Sequence, residues 1–270
     1  MPIEETIGFI GAGNMAETIM RGILKSSLTT PDHVMASDIR DERLEEMKKS
    51  LYIQTSHSNR EVISKANKIV LAVKPQNMNE ALSEIAPHVK SGQCFISIAA
   101  GWRTEKIEKR LGGEPRVIRV MPNTPTLLSC GASALCKGRF AQNADLSTAL
   151  EIFRSIGMAI TVTEDRMDAV TGLSGSGPAY FFYLIECLIK AGVEVGLSED
   201  DASKLVIQTA LGAARMIVET GHPASHLREA VTSPGGTTFA GLEVMRNADF
   251  EKIIIDTVKA ATARSKELGK

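Results

Sequence analysis

The chain has 270 residues, 43% of them apolar, and its 31 basic side chains nearly balance its 32 acidic ones for a formal net charge of -1. That apolar content is enough for a real core and excludes a disordered chain, and the length allows one large domain or two ordinary ones. The charge balance argues against a nucleic-acid binder working through a basic face and against attraction to anionic membranes.

No run approaches the ~20 apolar residues of a membrane span. The opening MPIEETIGFIG carries two acids and no basic stretch, so no secretory leader is expected. Cys94, Cys130, Cys136 and Cys187 form no CxxC pair, so neither a disulfide framework nor a metal site is expected. A reducing cytoplasm is the expected location.

Thr6 to Ile10 is a short apolar run, as in a strand buried on both faces. Gly11-Ala-Gly13-Asn14-Met15-Ala16 follows, and Met15, Ala16, Ile19, Met20, Ile23 and Leu24 then fall on one helical stripe. Strand, glycine turn and helix in that order form the setting of a dinucleotide fingerprint. Gly11 permits the tight turn, Gly13 the approach of a pyrophosphate, and Ala16 close helix packing.

His33 to Ser37 predicts the second strand and Asp41 to Lys49 a charged helix. Further strands are predicted at Ile69 to Val73, Cys94 to Ile98 and Val117 to Val120, with helices at Asn79 to Ala86 and Thr104 to Leu111 between them. Such alternation predicts a parallel, doubly wound sheet. Ala132 to Cys136 and Ala159 to Thr163, around a helix from Ala144 to Ile156, are expected to extend it.

Beyond about Thr163 the strand signals stop. Pro178 to Val195 reads as a helix apolar nearly all round, with Glu186 and Lys190 spaced i,i+4. A helix greasy on every side needs cover on every side, which a domain of about a hundred residues struggles to supply alone. Two copies of the chain burying it together is the expected solution. Ser198 to Asp201 resembles a capping box opening a helix to Thr220, ended by Gly221. Helices are predicted at Ala224 to Val231, after SPGGT, and from Phe250 to Leu268. The expected domains are 1–164, a Rossmann-type doubly wound sheet, and 165–270, all α.

Ser37-Asp38-Ile39-Arg40 ends the second strand with conflicting signals. An acid here accepts from an adenosine ribose and favours NAD. An arginine two residues on grips a 2′-phosphate and favours NADP, with Ser37 beside it and Asp38 turned outward; the balance leans to NADP. Lys74 either touches the coenzyme or is an ordinary surface lysine. Asn123, between two prolines, either presents an amide to a nicotinamide or caps a turn. His222 and His226 lack a third ligand and read as surface.

GFIGAGNMA, AVKP, SIAAG, RVMPNTP, GLSGSGPAY and SPGGTT occur in this order, and together they resemble the pyrroline-5-carboxylate reductases over essentially the whole chain. The resemblance implies a Rossmann domain, a helical dimerisation domain, and dimers that commonly assemble into decamers. It implies coenzyme contacts at Gly11, Gly13, Asn14, Met15, Asn59, Ala72, Lys74, Pro75 and Met121 to Thr124, with Asn123 among them. It places the substrate carboxylate at Ser233, Gly235, Gly236 and Thr237, and the ring nitrogen at the hydroxyl of Thr238. Most members prefer NADPH, and Asp38 departs from that pattern.

On this reading the two glycines of SPGGTT bare backbone amides at a helix's positive end to bind a carboxylate without Lys or Arg. A plain turn with a threonine cap is the alternative. An imine carbon is already electrophilic, so hydride transfer needs alignment more than acid–base groups. A tightly shared helical domain further predicts that a partner chain can supply the loop reaching one nicotinamide. Two rivals are another reductase of this plan and a non-catalytic NADP sensor. A β-hydroxyacid dehydrogenase would show a catalytic lysine early in the helical half, and Lys190 is late and beside Glu186.

Overall fold

The computed structural model describes residues 3–269. The chain divides into two compact units, one running to Ser176 and resuming at Ala260, the other Gly177–Lys259. The sequence boundary at 164 and the division after Ser176 bracket one passage, a helix at Met167–Val170 and a π-turn at Thr171–Gly175. Its Gly and Ser residues hide that turn from a periodicity reading.

The first unit is built on eight strands: β1 Ile7–Ile10, β2 Val34–Ser37, β3 Gln54–Ser56, β4 Lys68–Leu71, β5 Cys94–Ser97, β6 Arg116–Met121, β7 Gly131–Lys137 and β8 Gly157–Thr161. They lie in the order β3-β2-β1-β4-β5-β6-β7-β8. β1 pairs in parallel with both β2 and β4, Phe9 lying opposite Ala36 and Val70. The chain therefore reverses direction across the sheet at β1 and β4, the switch point outside which open α/β sheets bind ligands.

Alternate strand residues enter opposite cores. Ile7 and Phe9 pack on one face with Ala16, Ile19, Met20 and Ile23 of α1 (Asn14–Lys25) and Phe153 of α6 (Asn143–Arg154). Ile10, Ile69, Leu71 and Phe95 pack on the other with α3 (Asn59–Lys65), α4 (Met78–Ile85) and α5 (Thr104–Leu111). Each such buried Ile, Leu, Met or Phe side chain contributes about 1.5–3 kcal/mol. α2 (Asp41–Leu51) sends Leu44, Met47 and Leu51 inward.

Three features correct the sequence reading. β7 runs antiparallel to β6, which lets residues 122–130 join them without a crossover. β8, after α6, runs parallel to β7 and so against the first six strands. Strand β3 and helix α3 carry no strong apolar signal and escape a pattern search.

The helix at Met167–Val170 is α7. The second unit holds α8 (Gly177–Glu194), α9 (Glu199–Thr220), α10 (Ala224–Ala230), α11 (Thr237–Asn247) and the first half of α12 (Phe250–Leu268). The Ser198 hydroxyl accepts from Asp201 N at 3.1 Å, and Gly221 closes α9 in a left-handed conformation. α8 and α9 pack together where Ala202 meets Gly192. Glu186 and Lys190 are spaced for an ion pair but do not form one among the described residues. The last turns of α12 belong to the first unit, where Ser265 donates to Asp168 Oδ1 at 2.7 Å. Among the described residues no helix is long and apolar enough to cross a membrane, and no group of His, Cys, Asp or Glu could hold a metal ion.

Candidate coenzyme and substrate sites

A cleft of about 530 Å³ opens at the carboxyl ends of β1, β2 and β4. Gly11, Gly13, Ser37, Asp38, Arg40, Asn59, Ala72 and Lys74 all line it, so residues far apart in the chain and singled out from the sequence meet here. Gly11 has φ +96, and a Cβ on it would stand 2.9 Å from the Ala72 carbonyl. Its N–H donates to Ser37 O at 2.8 Å. The turn thus threads between the ends of β2 and β4, where no side chain fits.

Gly13 is the N-cap of α1 and makes no side-chain cap bond. A Cβ there would meet nothing within 4 Å, so the open space lies above the first-turn amides of Asn14 and Met15. Those amides are the orphan donors of the helix start, and the positive end of its dipole faces the same way. An uncapped helix start beside a glycine turn fits a pyrophosphate. The loop is held from behind by Arg43, which the sequence reading passed over as part of a charged helix. Its Nε and Nη2 donate to Ala12 O at 2.9 and 2.8 Å, and it pairs with Glu17 at 2.8 Å. Burial pushes the Glu17 carboxyl up, but hydrogen bonds from Arg43 and Arg21 outweigh that and hold it below its ordinary value.

Asp38 is turned inward, contrary to the expectation of an outward turn. Its Oδ2 accepts from Ala12 N at 3.0 Å, while Arg40 Nε and Nη2 donate to its two oxygens at 3.0 and 3.1 Å. Burial pushes its carboxyl up, yet the hydrogen bonds from Arg40 and the Ala12 N–H leave it lower than usual. Asp38 therefore joins the glycine turn to Arg40, whose guanidinium remains about half exposed on the cleft. Ser37 is a second correction. Its side chain is fully buried in the floor, with Oγ 2.6 Å from Asn59 Oδ1, so it supports Asn59 and does not face a phosphate.

Lys74 stands exposed on the cleft wall, with no ion pair among the described residues. Pro75 lies beside it, its carbonyl accepting from Trp102 Nε1 at 2.9 Å. The loop after β6 is braced internally. Asn123 Oδ1 accepts from Ala132 N at 2.9 Å and its Nδ2 donates to Ser174 O at 3.1 Å. That amide ties the loop to β7 and the π-turn, which favours the turn-fixing reading over presentation to a nicotinamide. A Cβ on Gly175 would stand 2.6 Å from Met121 Cε. RVMPNTP and GLSGSGPAY are thus two halves of one packing. Thr126 Oγ1 donates to Asn123 O at 2.7 Å and lies 3.4 Å from Met15 Sδ, linking this loop to α1.

In the second unit, Ser233 to Thr238 forms an exposed turn at the start of α11. Gly235 adopts φ +71, a left-handed conformation that favours glycine. A Cβ on Gly236 would stand 2.3 Å from Ser233 Oγ. Gly236 is the N-cap and makes no side-chain cap bond. A threonine cap, the alternative reading, is therefore not what starts this helix. Thr237 and Thr238 occupy its first two positions, their amides free of intrahelical partners. The hydroxyls of Ser233, Thr237 and Thr238 have no hydrogen-bond partner among the described residues. Side-chain caps do occur in this chain, where Ser58 Oγ accepts from Glu61 N and Ser198 Oγ from Asp201 N, whereas α2, α4, α5 and α10 also start without one; α1 and α11 differ from these in starting at a glycine.

Residues 164–268 match the family described as pyrroline-5-carboxylate reductase dimerisation, and residues 6–101 match NADP oxidoreductase, coenzyme F420-dependent. The chain is 41% identical to the pyrroline-5-carboxylate reductase of Methanosarcina acetivorans, with 98% of each covered. It is 38% identical to pyrroline-5-carboxylate reductase 2 of Bacillus subtilis over 97% of this chain and 94% of that protein. The solved pyrroline-5-carboxylate reductase of Coxiella burnetii superposes with a TM-score of 0.95 at 36% identity, covering 99% of this chain and 100% of that one. The Plasmodium falciparum pyrroline carboxylate reductase, solved with NADP bound, gives 0.87 at 32% identity, each chain covered fully.

Proposed function

Because the chain belongs to the pyrroline-5-carboxylate reductase family, which reduces the cyclic imine 1-pyrroline-5-carboxylate to L-proline in proline synthesis, we propose that its cleft binds NADPH and its Ser233–Thr238 turn binds the imine. One observation carries this reading: α1 and α11 both begin at glycines that no side chain caps, Gly13 and Gly236. Each start offers free amides and a positive dipole end to an anion. Gly13, Asn14 and Met15 serve the pyrophosphate, and the amides of Thr237 and Thr238 the substrate carboxylate, the Gly236 N–H being taken up by Ser233 O at 3.0 Å.

The coenzyme supplies a hydride from its reduced nicotinamide. The protein's residues bind and orient. Gly11 keeps the turn low enough for the coenzyme to lie over the sheet edge. Arg40 faces a 2′-phosphate, Asp38 fixes Arg40, and Ala72, Lys74 and Pro75 form the opposite lip. Support for NADP comes from Arg40 and from the Plasmodium falciparum relative, which was solved with that coenzyme. The Asp38 carboxylate also gives an NAD ribose an acceptor, so NADH is a second, weaker coenzyme. The loop from Met121 through Asn123 forms a rigid wall, fixed by Ala132, Ser174 and Gly175.

At the turn, Gly235 and Gly236 keep side chains out of the way of the carboxylate, and Ser233 adds a hydroxyl. Thr238 Oγ1 can accept from a protonated ring nitrogen and donate to the amine that forms, so it stays bonded across the reaction. No acid pair or catalytic histidine is required, because a protonated imine carbon is already electrophilic. The coenzyme-F420 resemblance covers only residues 6–101 and carries no information about the substrate.

The chain forms homo-oligomers through the dimerisation family to which residues 164–268 belong. The finer reading is a homodimer joined by the second unit, assembling further into decamers, with the reaction in the cytoplasm. The working division is a coenzyme domain over 1–164 and a dimerisation and substrate domain over 165–270. The test is steady-state oxidation of NADPH by pyrroline-5-carboxylate with wild type, Thr238→Ser and Thr238→Ala. Wild type turns over, the serine variant retains most activity, and the alanine variant loses roughly tenfold to a hundredfold in kcat. NADPH binding without turnover by wild type would contradict the assignment and favour a sensor.

A further inference from the structure

The cleft contains a hydrogen-bond chain that the reaction does not require. Ser37 Oγ lies 2.6 Å from Asn59 Oδ1, and Asn59 Nδ2 lies 2.6 Å from Glu84 Oε2. Ser37 is wholly buried, and among the described residues its hydroxyl has one other partner, the Phe9 carbonyl at 3.3 Å. Glu84 comes from α4, on the cleft wall across from the end of β2.

The chemistry of the two ends fixes the direction of this chain. An ionised carboxylate only accepts, so the Asn59 NH₂ must face Glu84. Its oxygen must then face Ser37, and the Ser37 hydroxyl must donate to it. Flipping the Asn59 amide would set its oxygen against the carboxylate with no hydrogen between them. One Nδ2 hydrogen of Asn59 is left for an acceptor on whatever fills the cleft. Without Glu84 the flipped amide would be satisfied as well, because the Ser37 hydroxyl could then donate to the Phe9 carbonyl and accept from Asn59 Nδ2.

Resting on the reading that this cleft holds the coenzyme, we propose that Glu84 is a positioning residue for coenzyme binding: it locks the Asn59 amide so that a donor meets the adenosine end. Glu84 touches no reacting atom. Its removal is expected to weaken binding and leave the hydride step alone.

A double-mutant cycle tests this without relying on turnover. Dissociation constants for NADPH are measured by energy transfer from Trp102, the chain's one tryptophan, in wild type, Glu84→Ala, Asn59→Ala and the double variant. Glu84→Ala is expected to raise the constant roughly fivefold to tenfold when Asn59 is present and to change it little when Asn59 is absent. In kinetics, KM for NADPH rises with kcat unchanged. An equal effect in both Asn59 backgrounds would reduce Glu84 to a simple charge near the ligand and overturn the proposal. Glu84→Gln, whose amide can turn to suit either orientation, should fall between wild type and Glu84→Ala.

A second measurement uses the coenzyme-free protein. In ¹⁵N-asparagine-labelled wild type, the Asn59 side-chain NH₂ should exchange slowly with solvent, and Glu84→Ala should abolish that protection. Fast exchange in wild type would show that the lock does not exist. Failure of wild type to bind NADPH would instead refute the coenzyme reading, leaving the exchange experiment to decide the lock on its own.

Discussion

The two units of this chain bury their apolar residues to different degrees. In the first, β1, β2 and β5 are buried at every position. In the second, α9 buries Ala202 alone and α10 and α11 bury nothing. Phe181 is 66% exposed and Val218 81%. A single chain therefore finishes the coenzyme unit and leaves the helical unit open. Patches of this extent mark an interaction surface, in keeping with the dimerisation family that the segment matches. The difference teaches where each unit is vulnerable: the sheet unit to local steric insult, the helical unit to loss of its partner.

The largest effect is expected at the open surface. Leu188→Arg on α8 replaces a half-exposed apolar side chain with a charge that costs several kcal/mol to bury unpaired. Light scattering should report the mass of one chain, and activity should vanish with the assembly. A variant that keeps its oligomeric mass would remove α8 from the interface.

A smaller pair of effects sharpens the contrast between the two glycine turns. Gly11→Ala combines a strained positive φ, about 1–3 kcal/mol, with a clash against the Ala72 carbonyl 2.9 Å away. It should raise KM for NADPH at least tenfold. Gly235→Ala carries the strain of φ +71 but meets no neighbour. It should raise KM for the imine severalfold and leave that for NADPH alone. The reverse pattern would exchange the roles of the two turns.

The last effect concerns coenzyme choice. Arg40→Ala should raise KM for NADPH about tenfold, the scale of one charge-assisted hydrogen bond, and spare NADH. Arg40 is fixed by Asp38, whose carboxyl is shifted below its ordinary value of 3.8. A lowered acid keeps its charge, and the support that charge gives, at every pH above that value, losing both only as pH falls through the folded pKa. Asp38 should therefore cause no change in the ratio of NADPH to NADH efficiency around neutral pH, above the second ionisation of a phosphate monoester at about pH 6. A change in that ratio near neutrality would place another group in control.

Much of this was legible because buried parallel strands leave nearly unbroken apolar runs, as at Ile69 to Leu71 and Cys94 to Ser97. The glycine turn was legible because its flanks agreed with it. Strand β3 was not, since its Gln-Thr-Ser lies half exposed at the sheet edge. The direction of β7 was not, because a period of two is the same in either direction. At the site, chain position alone put Ser37 on the phosphate and turned Asp38 outward. The fold instead buries Ser37 under Asn59 and ties Asp38 to the Ala12 amide. Arg43 lies in a stretch that reads only as a charged helix, Glu84 belongs to no motif, and only tertiary structure gives them their partners.

The account's core is that bare amides at a glycine helix start take the place of a cationic side chain in gripping a small acid. A crystal structure of the protein with NADP and L-proline tests this most directly. The account predicts proline carboxylate oxygens within hydrogen-bonding distance of the main-chain N–H groups of Thr237 and Thr238, with the ring nitrogen at Thr238 Oγ1. Proline held instead by a lysine or arginine side chain, away from Ser233 to Thr238, would contradict it.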